Sequence, residues 1–265
     1  MVGKYGYKVS SISDPTYGLT AFSTNEVYCI FDKVQLTVST PDDRIDVGST
    51  AIVYVTGTYA YDGASWSGTY TLNDTTTKFT VGKYVYTVSS ITDDNYGLTA
   101  FTSNTVEVIF DKLTVTLSTP DNRVDVGSNA TINYSITRQY DGSASGAIIT
   151  LNDTTTKNVV GKYAYTTLSV SGDEYGITVF DSNTIEIIFD RVQVTLIISD
   201  SRIDVGSTMP WSFTATYAYD GSDATPWVTV NLNDTDTKTA VGKWAFKVSS
   251  ISDSQYGLTA FSSNT

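Results

Sequence analysis

Residues Asp46–Val55, with the sequence DVGSTAIVYV, combine a Gly-containing turn with a strand pattern, and the pattern recurs along the chain. The DVGS tetrapeptide returns at Asp125 and at Asp204, 79 residues further on each time. Val53 and Val55 have apolar or aromatic counterparts in every copy, whereas the residues between them drift toward polar types. A sheet with one buried face produces this asymmetry, so the stretch predicts a β-strand that is repeated three times.

Other motifs keep the same interval and set the bounds of the repeating unit. Copies of Tyr-Asp-Gly and Phe-Asp-(Lys/Arg) follow the 79-residue spacing, and the four copies of Val-Gly-Lys-(Tyr/Trp) do so except for a last interval of 81 residues. We divide the chain into a half-module (1–33), module 1 (34–112), module 2 (113–191) and module 3 (192–265). Module 3 stops just before the counterpart of Val106–Asp111, so it lacks its last strand. A unit of about 79 residues suits a small autonomous β-sandwich rather than a solenoid repeat.

The composition of the 265-residue chain favours strands and excludes several classes of function. Strand-forming Thr, Val, Ile and Tyr are abundant and no stretch shows sustained helical periodicity, so we predict an all-β fold. The absence of His and the single Cys exclude the usual catalytic triads, His metal ligands and an internal disulfide. A net charge of −12 argues against nucleic acid and anionic membranes as partners, and no apolar run is long enough to insert into a membrane. We therefore expect no enzymatic activity, no catalytic residue and no cofactor.

One run carries a resemblance to a known class of protein. Residues Ile91–Leu98, ITDDNYGL, resemble the tyrosine corner that opens strand F of immunoglobulin-like domains. The Cys that normally lies two residues after the Tyr is replaced by an aliphatic residue in all four copies: Leu19, Leu98, Ile177 and Leu258. In this the chain is similar to the disulfide-free tandem modules of bacterial and archaeal cell-surface proteins. The resemblance implies tandem immunoglobulin-like β-sandwiches and an extracellular or cell-surface location, without implying an activity.

The joints between modules contain no flexible linker. Residues 109–115, IFDKLTV, and 188–194, IFDRVQV, contain no Gly, Pro or Ser. Flexible tethers need Gly/Ser-rich sequence, so we predict stiff joints and an elongated rod. This organisation favours a non-catalytic stalk, spacer or surface filament. The alternative is an adhesin or carbohydrate-binding array, for which Trp66 and Trp227 lie in the segment that varies most between modules.

Two interpretations account for the incomplete modules at the two ends. In the first, the chain is a window of a longer tandem array, so its partners are further repeats of the same chain. In the second, copies assemble head-to-tail, and Val27–Asp32 of one copy, with the inward-facing Val27, Cys29 and Phe31, supplies the strand that module 3 of another copy lacks. Cys29 itself is interpreted as a small core residue, because its counterparts are Val108 and Ile187.

Recurrent aspartates raise the question of a metal site. Tandem surface modules often stiffen their joints with Ca²⁺, which needs six to eight oxygen ligands, and Asp111, Asp121 and Asp125 are the candidates. Turn formation and solubility account for the same aspartates without a metal. Arg44, which lies among the carboxylates of residues 42–46, favours a local ion pair over a metal site there.

Sequons and lysines complete the set of candidate sites. Five Asn-X-Ser/Thr sequons are candidates for glycosylation in a glycosylating host: Asn73, Asn152, Asn233, Asn129 and Asn133. The first three of them occupy one turn, in modules 1, 2 and 3 respectively. Duplication of the repeat explains the shared turn equally well. Four repeated lysines begin one predicted strand: Lys4, Lys83, Lys162 and Lys243. Surface sandwiches sometimes carry a Lys–Asn isopeptide bond beside a buried acid. Here Glu is scarce and each Lys follows a Gly at a strand end, so we expect solvated lysines.

Overall fold

The computed structural model of the chain describes residues 1–264, and these residues form 23 β-strands and no helix. The predicted all-β fold is therefore confirmed. Within the described range no helix has the length and hydropathy needed to cross a membrane.

The strands follow the repeat. The half-module contains β1 (Gly3–Tyr7) and β2 (Val27–Phe31). Module 1 contains β3 (Val34–Ser39), β4 (Arg44–Asp46), β5 (Tyr54–Tyr59), β6 (Gly68–Leu72), β7 (Gly82–Tyr86), β8 (Val88–Asp93), β9 (Phe101–Ser103) and β10 (Val106–Asp111). Module 2 contains β11 (Leu113–Ser118), β12 (Arg123–Asp125), β13 (Asn133–Arg138), β14 (Ile148–Leu151), β15 (Gly161–Tyr165), β16 (Thr167–Ser171), β17 (Phe180–Ser182) and β18 (Ile185–Asp190). Module 3 contains β19 (Val192–Ile198), β20 (Trp211–Tyr217), β21 (Val228–Leu232), β22 (Val248–Asp253) and β23 (Phe261–Ser263).

Modules 1 and 2 have the same three sheets. In module 1 the strand orders are β5-β3-β9, β4-β10-β7 and β6-β8, and module 2 repeats them as β13-β11-β17, β12-β18-β15 and β14-β16. The last strand of module 1, β10, pairs parallel with β4 and antiparallel with β7. Module 3 keeps the sheets β20-β19-β23 and β21-β22, whereas its described residues 202–204 and 242–246, the counterparts of β4 and β7, form no strand.

Alternating burial builds the core of each module. In β3 the side chains of Val34, Leu36 and Val38 are buried and the intervening residues are exposed, as the period-2 pattern predicts. This face packs with residues of β5, β6 and β8 in one cluster. A second cluster surrounds the fully buried Val108 and Phe110 of β10. The multi-sheet arrangement is consistent with a β-sandwich.

Packing divides the described residues into two compact units. The first unit comprises Met1–Lys112 together with two loop segments of module 2, Arg138–Gly142 and Tyr175–Val179. The second unit holds the remaining residues from Leu113 onward. The two loop segments of module 2 therefore pack with module 1 in the first unit, whereas the joint between modules 2 and 3 lies inside the second unit.

The run that resembles a tyrosine corner does not open a strand. It ends β8 at Asp93 and continues into a turn, in which Gly97 has a φ of 67°. The buried carboxylate of Asp93 accepts hydrogen bonds from the Tyr59 hydroxyl at 2.6 Å and from the backbone N–H of Tyr96 at 3.1 Å. The strand start at Tyr96 that this resemblance implies is wrong, because the carboxylate of Asp93 closes a turn there, and the side chain of Tyr96 stays 73% exposed.

The prediction that Cys29 is a core residue is also wrong within this chain. All five residues of β2 are exposed, including Cys29, Val27 and Phe31. The physical reason is that, among the residues that the structure describes, β2 pairs with β1 alone, in a two-stranded sheet. The half-module contains no counterpart of β4 or of the buried Ala51, which help to cover Val108 in module 1.

Candidate functional site at the module junctions

The last strand of one module runs almost directly into the first strand of the next. β10 ends at Asp111 and β11 begins at Leu113, so Lys112 alone separates them. β18 and β19 are separated in the same way by Arg191. The structure therefore shows the direct connection that the sequence predicts. The polar groups around these two positions form hydrogen-bond networks that recur at both junctions.

Asp111 lies at the centre of the first junction and is completely buried. Its Oδ1 accepts hydrogen bonds from the backbone N–H of Lys112 at 2.8 Å and of Tyr140 at 2.9 Å. Its Oδ2 accepts a hydrogen bond of 3.2 Å from Nη1 of Arg44. One carboxylate thus joins the end of module 1, the connecting residue and a loop of module 2.

Arg44 completes the ion pair from β4, with 8% of its side chain exposed. Nη2 donates to Oδ2 of Asp141 at 2.5 Å, and the guanidinium lies 4.9 Å from the ring centroid of Tyr175 and 5.8 Å from that of Tyr140. Burial opposes the charge of Arg44, but the hydrogen bond to Asp141 and the charge of Asp111 outweigh it and raise the pKa of the guanidinium. The predicted local ion pair within residues 42–46 is wrong, because these partners come from distant parts of the repeat.

Asp46 makes the second contact of the first junction. Its carboxylate accepts hydrogen bonds from the backbone N–H groups of Thr178 at 2.9 Å and Val179 at 3.0 Å, and from the hydroxyl of Thr178 at 2.7 Å. Hydrogen bonds to a charged acceptor are stronger than neutral ones. Asp46 therefore holds the loop that precedes β17 of module 2.

The second junction repeats the first, residue for residue. Nη1 of Arg123 lies 3.4 Å from Oδ2 of the buried Asp190, an ion pair without hydrogen-bond geometry, and Nη2 donates to Asp220 at 2.6 Å. Oδ1 of Asp190 accepts from the backbone N–H groups of Arg191 at 2.8 Å and Tyr219 at 2.9 Å. The guanidinium also lies 4.6 Å from the ring centroid of Tyr256.

Two carboxylates of the second junction have pKa values shifted in opposite directions. Burial raises the pKa of Asp190, although its backbone hydrogen bonds and the charge of Arg123 act the other way. The hydrogen bonds from Ser222 and from Arg123 lower the pKa of Asp220 to about 2. Asp220 is therefore fully ionised at neutral pH, as an ion pair with Arg123 requires.

Asp125 in the second junction takes the role of Asp46. It accepts hydrogen bonds from the backbone N–H groups of Thr259 and Ala260, both at 2.9 Å, and from the Thr259 hydroxyl at 2.6 Å. The same chemistry at the same repeat positions shows that each junction is a built feature of the fold.

The calcium candidates have other partners in this structure. Asp111 and Asp125 are engaged as just described, and Asp121 is exposed, with its backbone N–H bonded to the Thr119 hydroxyl at 3.3 Å. Within residues 1–264, no group of three or more acidic or Cys side chains is arranged to hold a metal ion. A calcium site at these aspartates stays an untested prediction.

All five sequon asparagines are exposed: Asn73, Asn152, Asn233, Asn129 and Asn133. The first three of them also hold a turn together. Asn73 donates to the carbonyl of Val85 at 3.0 Å and accepts from the N–H of Thr87 at 2.9 Å, and Asn152 and Asn233 make the equivalent pairs of bonds. Recurrence of this Asn in one turn therefore has a structural cause that does not require a glycan.

The lysines and tryptophans have structural surroundings that the sequence did not indicate in full. Lys83 and Lys162 form ion pairs of 2.5 Å with Glu107 and Glu186, which lie on the neighbouring strand. Trp66 packs against the core of module 1, whereas Trp227 is 47% exposed.

Comparison with known proteins leaves the junctions as the main guide to function. No model of a known protein family matches the chain, and no curated protein matches it either.

Proposed function

We propose that the chain is a non-catalytic structural protein, a stalk, spacer or surface filament built of immunoglobulin-like modules, and that it works outside the cell. The observation that carries the proposal is the recurrence of one polar lock at both junctions. In each lock an Arg bridges two aspartates, one at the end of a module and one in a loop of the next. A third aspartate, two residues after the Arg, holds another loop of that next module.

The lock favours a fixed orientation between successive modules. The Arg and the aspartate at the module end are buried in each lock, so a swing at the joint would break their ion pair and leave buried charge without a partner. A single connecting residue allows little freedom beside it. An elongated, orientation-keeping arrangement of modules is what a spacer needs, and the acidic, Thr-rich exterior suits a soluble extracellular setting.

Two solution measurements on the full chain test this proposal. A compact globule of this length has a radius of gyration of about 18 Å, and small-angle scattering of an elongated array should give a clearly larger value. For the joint itself, spin labels at Tyr70→Cys and Ile148→Cys, in a Cys29→Ser background, report the distance between modules 1 and 2.

We expect a narrow distance distribution that broadens when Asp46→Ala removes one half of the lock. A compact scattering profile would contradict the spacer, and a distribution that is equally broad with and without Asp46 would contradict the fixed joint.

A further inference from the structure

Module 3 contains an open groove where modules 1 and 2 hold their last strand. The groove has a volume of about 900 Å³ and is lined by residues of the two unpaired edges, among them Ile203, Val205 and Trp244. In module 1 the counterparts of these three residues are at least half-buried, because β10 covers them. Here Ile203 is 40%, Val205 52% and Trp244 48% exposed. Apolar side chains and two open strand edges together form a surface suited to an added strand.

The half-module carries a strand of the matching kind. In β2, Val27, Cys29 and Phe31 occupy the repeat positions of Val106, Val108 and Phe110, yet Val27 is 56% and Phe31 50% exposed. The register agrees as well, because β2 pairs with β1 through Gly3↔Phe31 and Tyr5↔Cys29, as β10 pairs with β7 through Gly82↔Phe110 and Tyr84↔Val108. β2 therefore has the sequence positions and the register of a last strand, but the described residues do not bury it.

The acceptor end of a third lock is also present and unused. Arg202 is the counterpart of Arg44 and Arg123, but it is exposed and forms no ion pair within the described residues. Asp204, the counterpart of Asp46, is exposed and its carboxylate has no hydrogen-bond partner in that range. Module 3 thus offers one cation and one carboxylate at the edge of its groove.

The donor end of that lock follows β2 directly. Oδ1 of Asp32 accepts from the N–H groups of Lys33 at 2.8 Å and Tyr61 at 2.9 Å, as Asp111 does at the first junction, while its Oδ2 has no partner in the described residues. Asp62 is the counterpart of Asp141, and Thr99 with Ala100 is the counterpart of the loop that Asp46 holds. Every polar group of the lock is therefore available, half at each end of the chain.

One strand stands in the way of this pairing. β1 occupies the edge of β2 that residues 242–246 would take, and residues 2–24 are identical to residues 241–263 at 17 of 23 positions. Insertion of β2 into the groove therefore exchanges β1 for a strand of nearly the same sequence, with the same number of paired residues, and adds the parallel pairing to residues 202–204. The exchange gains burial and a lock without losing a hydrogen-bond ladder.

We propose that β2 of a second copy leaves the β1 of that copy and fills the groove of module 3. The two copies are then joined by Arg202 and Asp204 of the acceptor with Asp32, Asp62 and residues 99–100 of the donor. The chain then assembles head-to-tail, through a junction equivalent to the two inside it. This step rests on the proposed structural function and names its partner, a second copy of the chain. Because each copy has one donor and one acceptor, the contact propagates instead of closing a symmetric dimer.

The single native cysteine gives a direct test in the full chain. The repeat places Cys29 of the donor opposite Trp244 of the acceptor, and directly opposed residues of antiparallel strands lie within disulfide range. After unfolding and refolding at high concentration, we expect Trp244→Cys to give a ladder of disulfide-linked multimers on a non-reducing gel. Val241→Cys, at a residue that is 93% exposed on the groove but not opposite Cys29, is the matched control and should give none.

Closing the hairpin tests the exchange itself. Tyr5 lies opposite Cys29 in β1, so Tyr5→Cys should form an intramolecular disulfide that prevents assembly until it is reduced. Light scattering should show that Phe31→Asp and Arg202→Met weaken assembly at least tenfold, with unchanged thermal unfolding of the single chain.

A chain that stays monomeric after refolding, with no more cross-linking at residue 244 than at 241, would overturn the proposal. So would assembly that survives both Phe31→Asp and Arg202→Met. A stiff, elongated monomer would refute head-to-tail joining while leaving the proposed spacer function intact.

Discussion

Replacing Arg44 by Met should open the first junction and leave the rest of the chain folded. The substitution keeps an apolar stem of similar length and removes the cation that lies against Oδ2 of Asp111. Asp111 is completely buried, so its charge would lose its partner without gaining water. Removing one member of a buried ion pair costs about 3–5 kcal/mol. We expect the lower end, about 3 kcal/mol, because Asp111 keeps two backbone hydrogen bonds through Oδ1.

The assay reads the local free energy of opening by hydrogen–deuterium exchange. Peptides that cover β4 and β10 should exchange faster in Arg44→Met, while peptides that cover β12 and β18 serve as a reference within the same molecule. Arg202→Met, measured in the monomer, is the matched control, since this Arg holds the same repeat position without an ion pair in the described residues, and it should change the stability there by at most about 0.5 kcal/mol.

A double substitution separates the charge from the packing. Asn at residue 111 retains the oxygen that accepts the two backbone hydrogen bonds but carries no charge. Arg44→Met together with Asp111→Asn should therefore cost less than the sum of the two single changes, by about 2–3 kcal/mol. If Arg44→Met exchanges no faster than Arg202→Met, or if the two costs simply add, the buried ion pair does not hold the junction.

Three further predictions compare positions within the repeat or follow one group with pH. Asp125→Ala removes charge-assisted hydrogen bonds to Thr259 and Ala260 and should lower the free energy of unfolding by about 1–2 kcal/mol in urea titrations, whereas Asp204→Ala should leave it within about 0.5 kcal/mol in the monomer. Phe110→Ala empties a fully buried position and should lower the free energy of unfolding by about 3–5 kcal/mol in the same titration. Phe31→Ala, at a residue that is 50% exposed, should lower it by less than about 0.5 kcal/mol in the monomer. Equal losses for the two variants would mean that β2 is already buried. The pKa of Asp220 is lowered from 3.8 to about 2, so its contribution to the free energy of unfolding is present above pH 4 and is lost as the pH falls toward 2. After allowance for the 37% exposure of Asp220, this contribution amounts to about 1 kcal/mol. Urea titrations of Asp220→Asn and the native chain should therefore differ in stability above pH 4 and should agree near pH 2.

The strands of the modules were largely predictable because burial alternates over short distances along the chain. Val34, Leu36 and Val38 show their buried face in six consecutive residues, and three copies of the repeat confirm which positions stay apolar. The connection without a linker was visible for the same reason, since it depends only on the residues around Lys112.

The junction chemistry was not predictable, because its partners are far apart in sequence. Arg44 has carboxylates close by in the chain, yet it pairs with Asp111 and Asp141, which are 67 and 97 residues away. The turn at Tyr96 was mistaken for a strand start because residues Ile91–Leu98 resemble a tyrosine corner, whereas here the carboxylate of Asp93 accepts hydrogen bonds from the turn N–H groups of Tyr96 and Leu98. A usable signal existed, since Arg44, Asp46 and Tyr140 recur at fixed spacing at exposed-looking positions, which core packing does not explain.

The terminal strands of each complete module have parallel neighbours. β3 pairs parallel with β9, and β10 pairs parallel with β4. Module 2 repeats this arrangement with β11 and β17, and with β18 and β12. A pull applied at the two ends of a module would act along these strands and across their hydrogen bonds, so the bonds would be sheared together instead of unzipped one after another. Such a module resists tension through its outermost pairings first, and it would yield abruptly rather than gradually.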